Sequence, residues 1–263
     1  MMPREHGAWA MLLIPFVSAV ALARKLTWEV VPAAVLVVGI FLVREPLLAL
    51  WRQKLVWKQP RVEAAQARRA LAWRVPAIAA CALVLLWRLP VAPLLVMGTA
   101  ALLLTAISTH LAVQNRQRSI PLQIASAAGL NASALLAWMA VGAGWGWRIW
   151  ALWALQFAHS GAAVVAVHAR LQARIASRTG SGPAGFDRGA AAGVILLALA
   201  AAACAAAGKP ALALASGLSA VIRAVDLARL RDPASLDAPL RRVGQRELLG
   251  SIVFSLLLLF GLR

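Results

Sequence analysis

Arg4-Glu5-His6-Gly7-Ala8-Trp9-Ala10-Met11 sets an acid, a base and an imidazole at the mouth of a hydrophobic run, Ala8 to Ala23. Ionisable groups at membrane depth are costly, and where they occur they face a cavity or a partner rather than lipid. The run has a basic start, an apolar stretch and Ala21-Leu22-Ala23, the outline of a secretory signal. We read it as a retained first spanning helix.

The rest of the chain repeats that pattern. Of 263 residues, 62% are hydrophobic and 14% charged, and the mean hydropathy is +0.78. Roughly 25% charged residues is usual for a soluble domain, so the composition is that of a polytopic membrane protein forming a single transmembrane helical domain over 1–263. A bilayer core takes about 20 apolar residues per helix. Nine runs qualify: Ala8–Ala23, Val30–Val43, Ala70–Trp87, Val91–Thr109, Leu122–Val141, Ile149–Val167, Arg188–Ala207, Ala211–Val225 and Leu248–Leu262.

The net charge of +18 comes from 27 Lys and Arg against 9 Asp and Glu. On a soluble protein this would raise nucleic-acid binding. Here the basic residues lie between apolar runs, where they set orientation and meet anionic headgroups, so nucleic acid is excluded as a partner and membrane lipids are expected. With alternating spans, Arg24, Lys25, Arg88, Arg148, Lys209 and Arg263 fall on one side and the other basic residues on the side of the N-terminus. Basic residues mark the cytoplasmic face. The expected topology is therefore multi-pass in a bacterial inner membrane, N-terminus cytoplasmic and C-terminus outside.

Outer loops carry Gly and Pro, as in Leu89-Pro90 and Gly208-Lys209-Pro210. The first inner loop is expected to be long, Arg44 to Arg69, with an amphipathic helix at headgroup level over Pro46–Trp57. Residues 177–187 read as a flexible loop. Most of the 11 tryptophans sit at span ends, as interfacial anchors do. Cys81 and Cys204 lie inside apolar runs and read as small buried hydrophobes.

Four clusters fall at the cytoplasmic ends: Glu5-His6; Arg44-Glu45-Pro46; His110 with Asn115, Arg116 and Arg118; and His168 with Arg170 and Arg174. Arginine forks bind phosphate or carboxylate, so convergence of these groups would make a pocket for an anionic headgroup. Topology asks for Arg and Lys there, but not for acids, so Glu5 and Glu45 stand out. A salt bridge of Glu45 to Arg4 or Arg118 is the competing explanation. Asn131, Gln156 and His159 are polar within spans, where interhelical hydrogen bonds are their usual role. His159 and His168, nine residues apart, point to different faces and do not share a metal. Glu29, Glu63, Asp187, Asp226, Asp232 and Asp237 read as surface or loop acids.

Glu5-His6-Gly7-Ala8-Trp9, Arg44-Glu45-Pro46 and the Arg116-Gln117-Arg118-Ser119 turn resemble the YwiC-like family, bacterial membrane proteins without a settled function. The wider order resembles the UbiA prenyltransferase superfamily: the Arg4-Glu5-His6-Gly7 entry to the first helix, Arg118-Ser119 with Pro121 and Gly129 at the fifth, and Gln156-Phe157 to Arg170 along the sixth. That resemblance implies a nine-helix bundle with a cavity open to the cytoplasm. It also implies two aspartate-rich motifs that hold Mg²⁺ against a prenyl diphosphate. Here those regions read Leu48-Ala49-Leu50-Trp51-Arg52-Gln53-Lys54-Leu55 and Val167-His168-Ala169-Arg170-Leu171-Gln172-Ala173-Arg174, with no aspartate. A Mg²⁺ site needs several oxygen ligands, so no Mg²⁺ site and no cofactor is assigned.

The sequence thus implies an all-α, UbiA-like membrane bundle with a cytoplasm-facing polar cavity that binds or modifies an isoprenoid or lipid with an anionic head. Glu5, His6 and Glu45 are its candidate catalytic groups. Arg44, His110, Asn115, Arg116, Arg118, Asn131, Gln156, His159, His168 and Arg170 are its candidate binding groups. Transport of a small anion or metabolite, and a non-catalytic assembly role, are the alternatives.

Overall fold

The structure, a computed structural model, describes residues 6–57, 62–114, 119–179, 187–236 and 240–263. Among these residues there are helices and turns and no strand. The elements are α1 His6–Ala23, α2 Val30–Arg52 running on into a π turn Gln53–Trp57, α3 Val62–Arg88, α4 Val91–Val113, α5 Ile120–Asn131, α6 Ser133–Ala140, α7 Trp147–Thr179, α8 Arg188–Ala206 and α9 Pro210–Ala228; a 3-10 turn Arg229–Arg231 then leads to α10 Pro233–Leu236 and α11 Leu240–Leu262. Eight helical segments among the described residues are long and apolar enough to cross a membrane, α5 and α6 together making one of them, and α1 is a shorter apolar ninth. The chain is a multi-pass, all-helical integral membrane protein.

The surface agrees with that reading. On α4, Val91, Leu95, Val96, Leu102, Leu103 and Ile107 are all at least half exposed. Water does not tolerate so continuous an apolar face; lipid does. Trp28, Trp73, Trp87, Trp147 and Trp150 are likewise exposed, as interfacial anchors require.

The chain divides into two compact units, Met1–Gly146 and Trp147–Arg263. In the first, α1 lies along α5 and α6, and α2 packs against α3 while also meeting α4 and α6. In the second, α9 packs against α7, α8 and α11, and the turn that carries α10 folds back on α7. Small residues line the seams: Ala162, Ala220 and Leu197 form one buried cluster with Ala158 against it. In lipid, close backbone approach through small residues substitutes for the hydrophobic effect between helices.

Two helix ends turn at glycine, as the Gly-bearing loops predict. Gly208 has φ 67° and Gly142 φ 66°, values that side chains rarely take. Each closes a helix with crossed amide bonds: Lys209 N donates to the Cys204 carbonyl (2.9 Å) and Gly208 N to that of Ala205 (3.0 Å). This satisfies carbonyls that the last turn leaves open.

Proline shapes the first unit. Pro46 lies inside α2, lacks an amide hydrogen and so leaves the carbonyl four residues earlier, Leu42, without its helical donor. Arg74 of α3 fills the gap: its guanidinium donates to the Leu42 oxygen at 2.8 Å. Ser133 adds a bond to α1, donating to the carbonyl of Leu12 (2.7 Å), the residue after Met11, whose helical donor Pro15 removes. Hydrocarbon offers no water to meet the open Leu42 carbonyl, so a neighbouring side chain must.

This corrects the reading of the first inner loop. The segment Pro46–Trp57 is helical, but it continues α2, and α3 already begins at Val62. Pro46 reads locally as a stop; Arg74 lets the helix pass through it, and Leu48 and Ala49 beyond it are buried. Likewise 177–179 belong to α7, which is 33 residues long, and 180–186 lie outside the described residues. Asp187 caps α8, its carboxylate accepting from Ala190 N at 2.9 Å.

At the opposite end of α2, Glu29 is no isolated surface acid. Arg88 donates to its Oε1 from Nε (3.3 Å) and Nη2 (3.1 Å), and the same guanidinium lies over the Trp28 and Trp87 rings. The Glu29 carboxyl is held below its usual value of 4.5, first by its own backbone amide and then, against burial, by Arg88 and Thr27.

Two measurements follow. Arg74→Met should lower the unfolding free energy in detergent by about 1–3 kcal/mol, the cost of an unmet buried carbonyl. In a Pro46→Ala background Leu42 regains its own donor, so the Arg74→Met cost should shrink; strictly additive costs in this double-mutant cycle would refute the assignment. Because the Glu29 pKa is depressed on folding, its contribution is present above pH 4.5 and is lost as pH falls through the folded value. Arg88→Gln should therefore lower the melting temperature slightly at neutral pH and flatten the acid limb, the variant and the wild type converging at low pH.

Candidate functional site

Three helices of the second unit turn polar stripes toward one another. On α9 they are Ser216, Ser219, Arg223 and Asp226, spaced by three or four residues and so on one face. On α11 they are Glu247, Ser251 and Ser255, each one turn apart. On α7 they are Gln156, His159 and, three turns further, Arg170. Polar groups in a spanning segment face the bundle interior because lipid cannot solvate them, and Gln156, His159, Ser216, Ser219, Arg223 and Ser255 are all buried.

The deeper layer is held by neutral hydrogen bonds. His159 Nδ1 lies 2.8 Å from Ser219 Oγ and Nε2 lies 3.2 Å from Ser251 Oγ. Its ring stacks on Phe254 with centroids 4.3 Å apart. Gln156 donates to Ser255 Oγ at 2.8 Å, and Ser255 donates on to the Ser251 carbonyl. The imidazole thus links α7 to both α9 and α11, as expected for interhelical polar groups.

One turn nearer the basic-rich end, the layer becomes ionic. Arg223 forks onto Glu247, donating to Oε1 at 2.7 Å and to Oε2, and reaches Asp226 at 3.2 Å. Asp226 also pairs with Arg246 at 3.0 Å. Arg223 is 4% exposed and Glu247 20%, so the pair is largely out of water. Asp226 is therefore an integral member of an ion network rather than the loop acid that the sequence suggests.

This network floors a cavity of about 490 Å³. Arg170, Arg223, Arg229, Arg242 and Arg246 line it, against Asp226, Asp232 and Glu247; Ala166, Val167, Leu230, Leu236 and Val243 form an apolar wall. Arg170 donates to the Ser235 carbonyl and so ties the α10 turn to α7 over the cavity. Arginine exceeds carboxylate by two. With Arg223 held by Glu247 and Asp226, and Arg246 by Asp226, the side chains of Arg229 and Arg242 stand exposed at the rim. A site of this kind takes an anion by forked hydrogen bonds.

The sequence-derived candidates distribute as follows. Arg170 lines the cavity, and Gln156 and His159 form the layer beneath it. His168 contacts Gln172 on its own helix at 2.9 Å and does not line the cavity. In the first unit, Glu45 approaches its neighbour Arg44 at 3.8 Å, and His110 meets Gln114 of its own helix at 3.0 Å and the edge of Trp51. Asn131 is fully buried and donates to Ala127 of its own helix at 2.7 Å, at the break between α5 and α6; it makes no interhelical bond among the described residues. Glu5, Asn115, Arg116 and Arg118 lie outside the described residues, as does the side chain of His6, and with them the expected pairing of Glu45 with Arg4 or Arg118. Sequence reasoning passed over Arg223, Asp226, Arg246 and Glu247. The signal was present in the stripes Ser216-Ser219-Arg223-Asp226 and Glu247-Ser251-Ser255.

Breaking the buried pair should be costly. Glu247→Gln leaves Arg223 with one weaker partner, and a loss of about 3–5 kcal/mol is expected. The double variant Arg223→Leu/Glu247→Leu should melt higher than Glu247→Gln alone, because no unpaired charge remains. A double variant no more stable than the single one would contradict the pairing.

Residues 2–138 match the family described as YwiC-like protein, just over half of the chain and wholly within the first unit. No curated protein matches the chain, and no solved structure does.

Proposed function

The chain belongs to the YwiC-like family, a description that names no chemistry, and from its own side chains we propose that it binds an amphiphile with an anionic head in the cavity of the second unit. The observation that carries this is the lining: five arginines against three carboxylates on one side, and Val167, Leu230, Leu236 and Val243 on the other. An inorganic ion would leave that apolar wall wet. A lipid or isoprenoid with a phosphate or carboxylate head uses both halves. Arg229 and Arg242 receive the head, Arg170 holds the α10 turn beside it, and Arg223 is positioned by Glu247 and Asp226 rather than spent on the ligand.

The basic-rich side of the chain supports a cavity that opens toward the cytoplasm. The same asymmetry supports a bacterial inner membrane, with the N-terminus cytoplasmic and the C-terminus outside. The order of nine spans supports a UbiA-like bundle, without the aspartates on which that family's Mg²⁺ chemistry rests. A second reading, passage of a small anion, draws on the polar stripe that leads from the cavity to His159 and Gln156. It requires anion flux in proteoliposomes.

Native mass spectrometry of lipids retained by the purified protein tests the first reading. Phosphatidic acid should be retained over phosphatidylcholine. The variant Arg229→Gln/Arg242→Gln should weaken that retention about tenfold, equivalent to ~1.4 kcal/mol, with an unchanged melting temperature. Equal retention of the two lipids, or no effect of the double variant, would sink it.

A further inference from the structure

The cavity of the second unit carries uncompensated charge. Among the described residues its lining sets Arg170, Arg223, Arg229, Arg242 and Arg246 against Asp226, Asp232 and Glu247. Two of these arginines are neutralised where they stand. Arg223 forks onto Glu247, donating to Oε1 at 2.7 Å and also to Oε2, and Arg246 pairs with Asp226 at 3.0 Å. What remains is Arg170, Arg229 and Arg242 against Asp232, an excess of two positive charges.

The three remaining cations differ in placement. Arg170 gives a donor to the Ser235 carbonyl and holds the α10 turn. Arg229, on the 3-10 turn after α9, and Arg242, in the first turn of α11, are exposed and line one cavity from two elements. Each guanidinium presents a planar fork of N–H donors. Ser235 Oγ donates to the carbonyls of Arg229 (2.5 Å) and Asp232 (2.8 Å), so the backbone that carries the first fork is tied down.

We propose that the head bound here is a phosphate monoester, taken as a dianion. This rests on the reading that the cavity binds an anionic amphiphile, and it names the head. A phosphate monoester has three terminal oxygens and, above a second pKa of about 6, two charges. It therefore matches two forks and an excess of two. A diester has two free oxygens and one charge, and leaves a cation unmatched. A trianionic diphosphate exceeds the excess. The apolar wall of Val167, Leu230, Leu236 and Val243 takes the root of the tail, whether diacylglycerol or isoprenoid.

Phosphatidic acid and phosphatidylmethanol of matched chains, titrated into the purified protein and read by native mass spectrometry, test it. They differ by one methyl on the phosphate, which removes one charge and one terminal oxygen. At about pH 8, above the second phosphate pKa, phosphatidic acid should bind about fivefold more tightly, the size of one exposed ion pair. The preference should fade toward parity at about pH 5, where the second proton stays on. Phosphatidylmethanol has no second proton, so its own profile corrects for titration of the protein. Arg229→Gln or Arg242→Gln alone lowers the excess to one and should bring the two lipids to parity at about pH 8. Both side chains are exposed, so the melting temperature should hold. Farnesyl phosphate and its methyl ester form a second pair, and the monoester that binds more tightly identifies the tail. Parity within both pairs, with each lipid still above phosphatidylcholine, overturns the monoester head and leaves the anionic-amphiphile reading intact. Binding no tighter than phosphatidylcholine overturns both, and a preference that survives in each single variant overturns the proposal.

Discussion

Hydrocarbon cannot hydrogen-bond, and the rest of this structure follows from that. Each spanning segment must satisfy its own backbone. Prolines 15, 46 and 76 sit inside three of the helices, and at Pro46 another helix supplies what the proline removed. Arg74 serves Leu42, and Ser133 adds a bond to the Leu12 carbonyl of α1. Those two bonds fix α3 to α2 and α6 to α1 at defined heights. The proline is thus a registration mark: it creates one open acceptor, and only one neighbouring height can meet it.

The second unit obeys the same constraint with side chains. A buried ion pair is a poor source of stability in itself, because desolvation of both charges offsets much of their attraction. Its presence beside a cavity, under a rim of further arginines, is better explained by function. Glu247 and Asp226 hold Arg223 in place, so its positive charge stays near the cavity floor without moving into it. Beneath, His159 joins three helices through hydroxyls and one aromatic stack, which keeps that floor rigid. The family match stops at residue 138, short of all these groups, so family membership alone does not speak for them.

The spans were legible because each is a long apolar run bounded by Gly, Pro or basic residues, and nine of nine became helix. Their ends were not. Pro46 reads as a terminator when its partner Arg74 is 28 positions away. The interior network was hidden for a related reason. Arginines near helix ends are demanded by topology, so Arg223 and Arg246 looked explained, and Asp226 beside them looked like a loop acid. Burial separates the two roles, and the sequence carries burial only as the three- and four-residue spacing of serines leading to each charge. Asn131 failed differently: a side-chain amide finds its own helix carbonyl as readily as a neighbour's, and spacing does not distinguish them.

The length of α7 has a practical side. At 33 residues and ~1.5 Å per residue it is about 50 Å long, against a hydrocarbon core of about 30 Å. Even a moderately tilted helix of that length emerges from a detergent belt by several turns. Single-particle imaging of a 27.8 kDa chain needs a feature outside the micelle for alignment. A helix continuous with the spanning core is a rigid handle: a helical fusion partner grafted in phase after Ala176 would move with the core of the second unit and report its orientation directly.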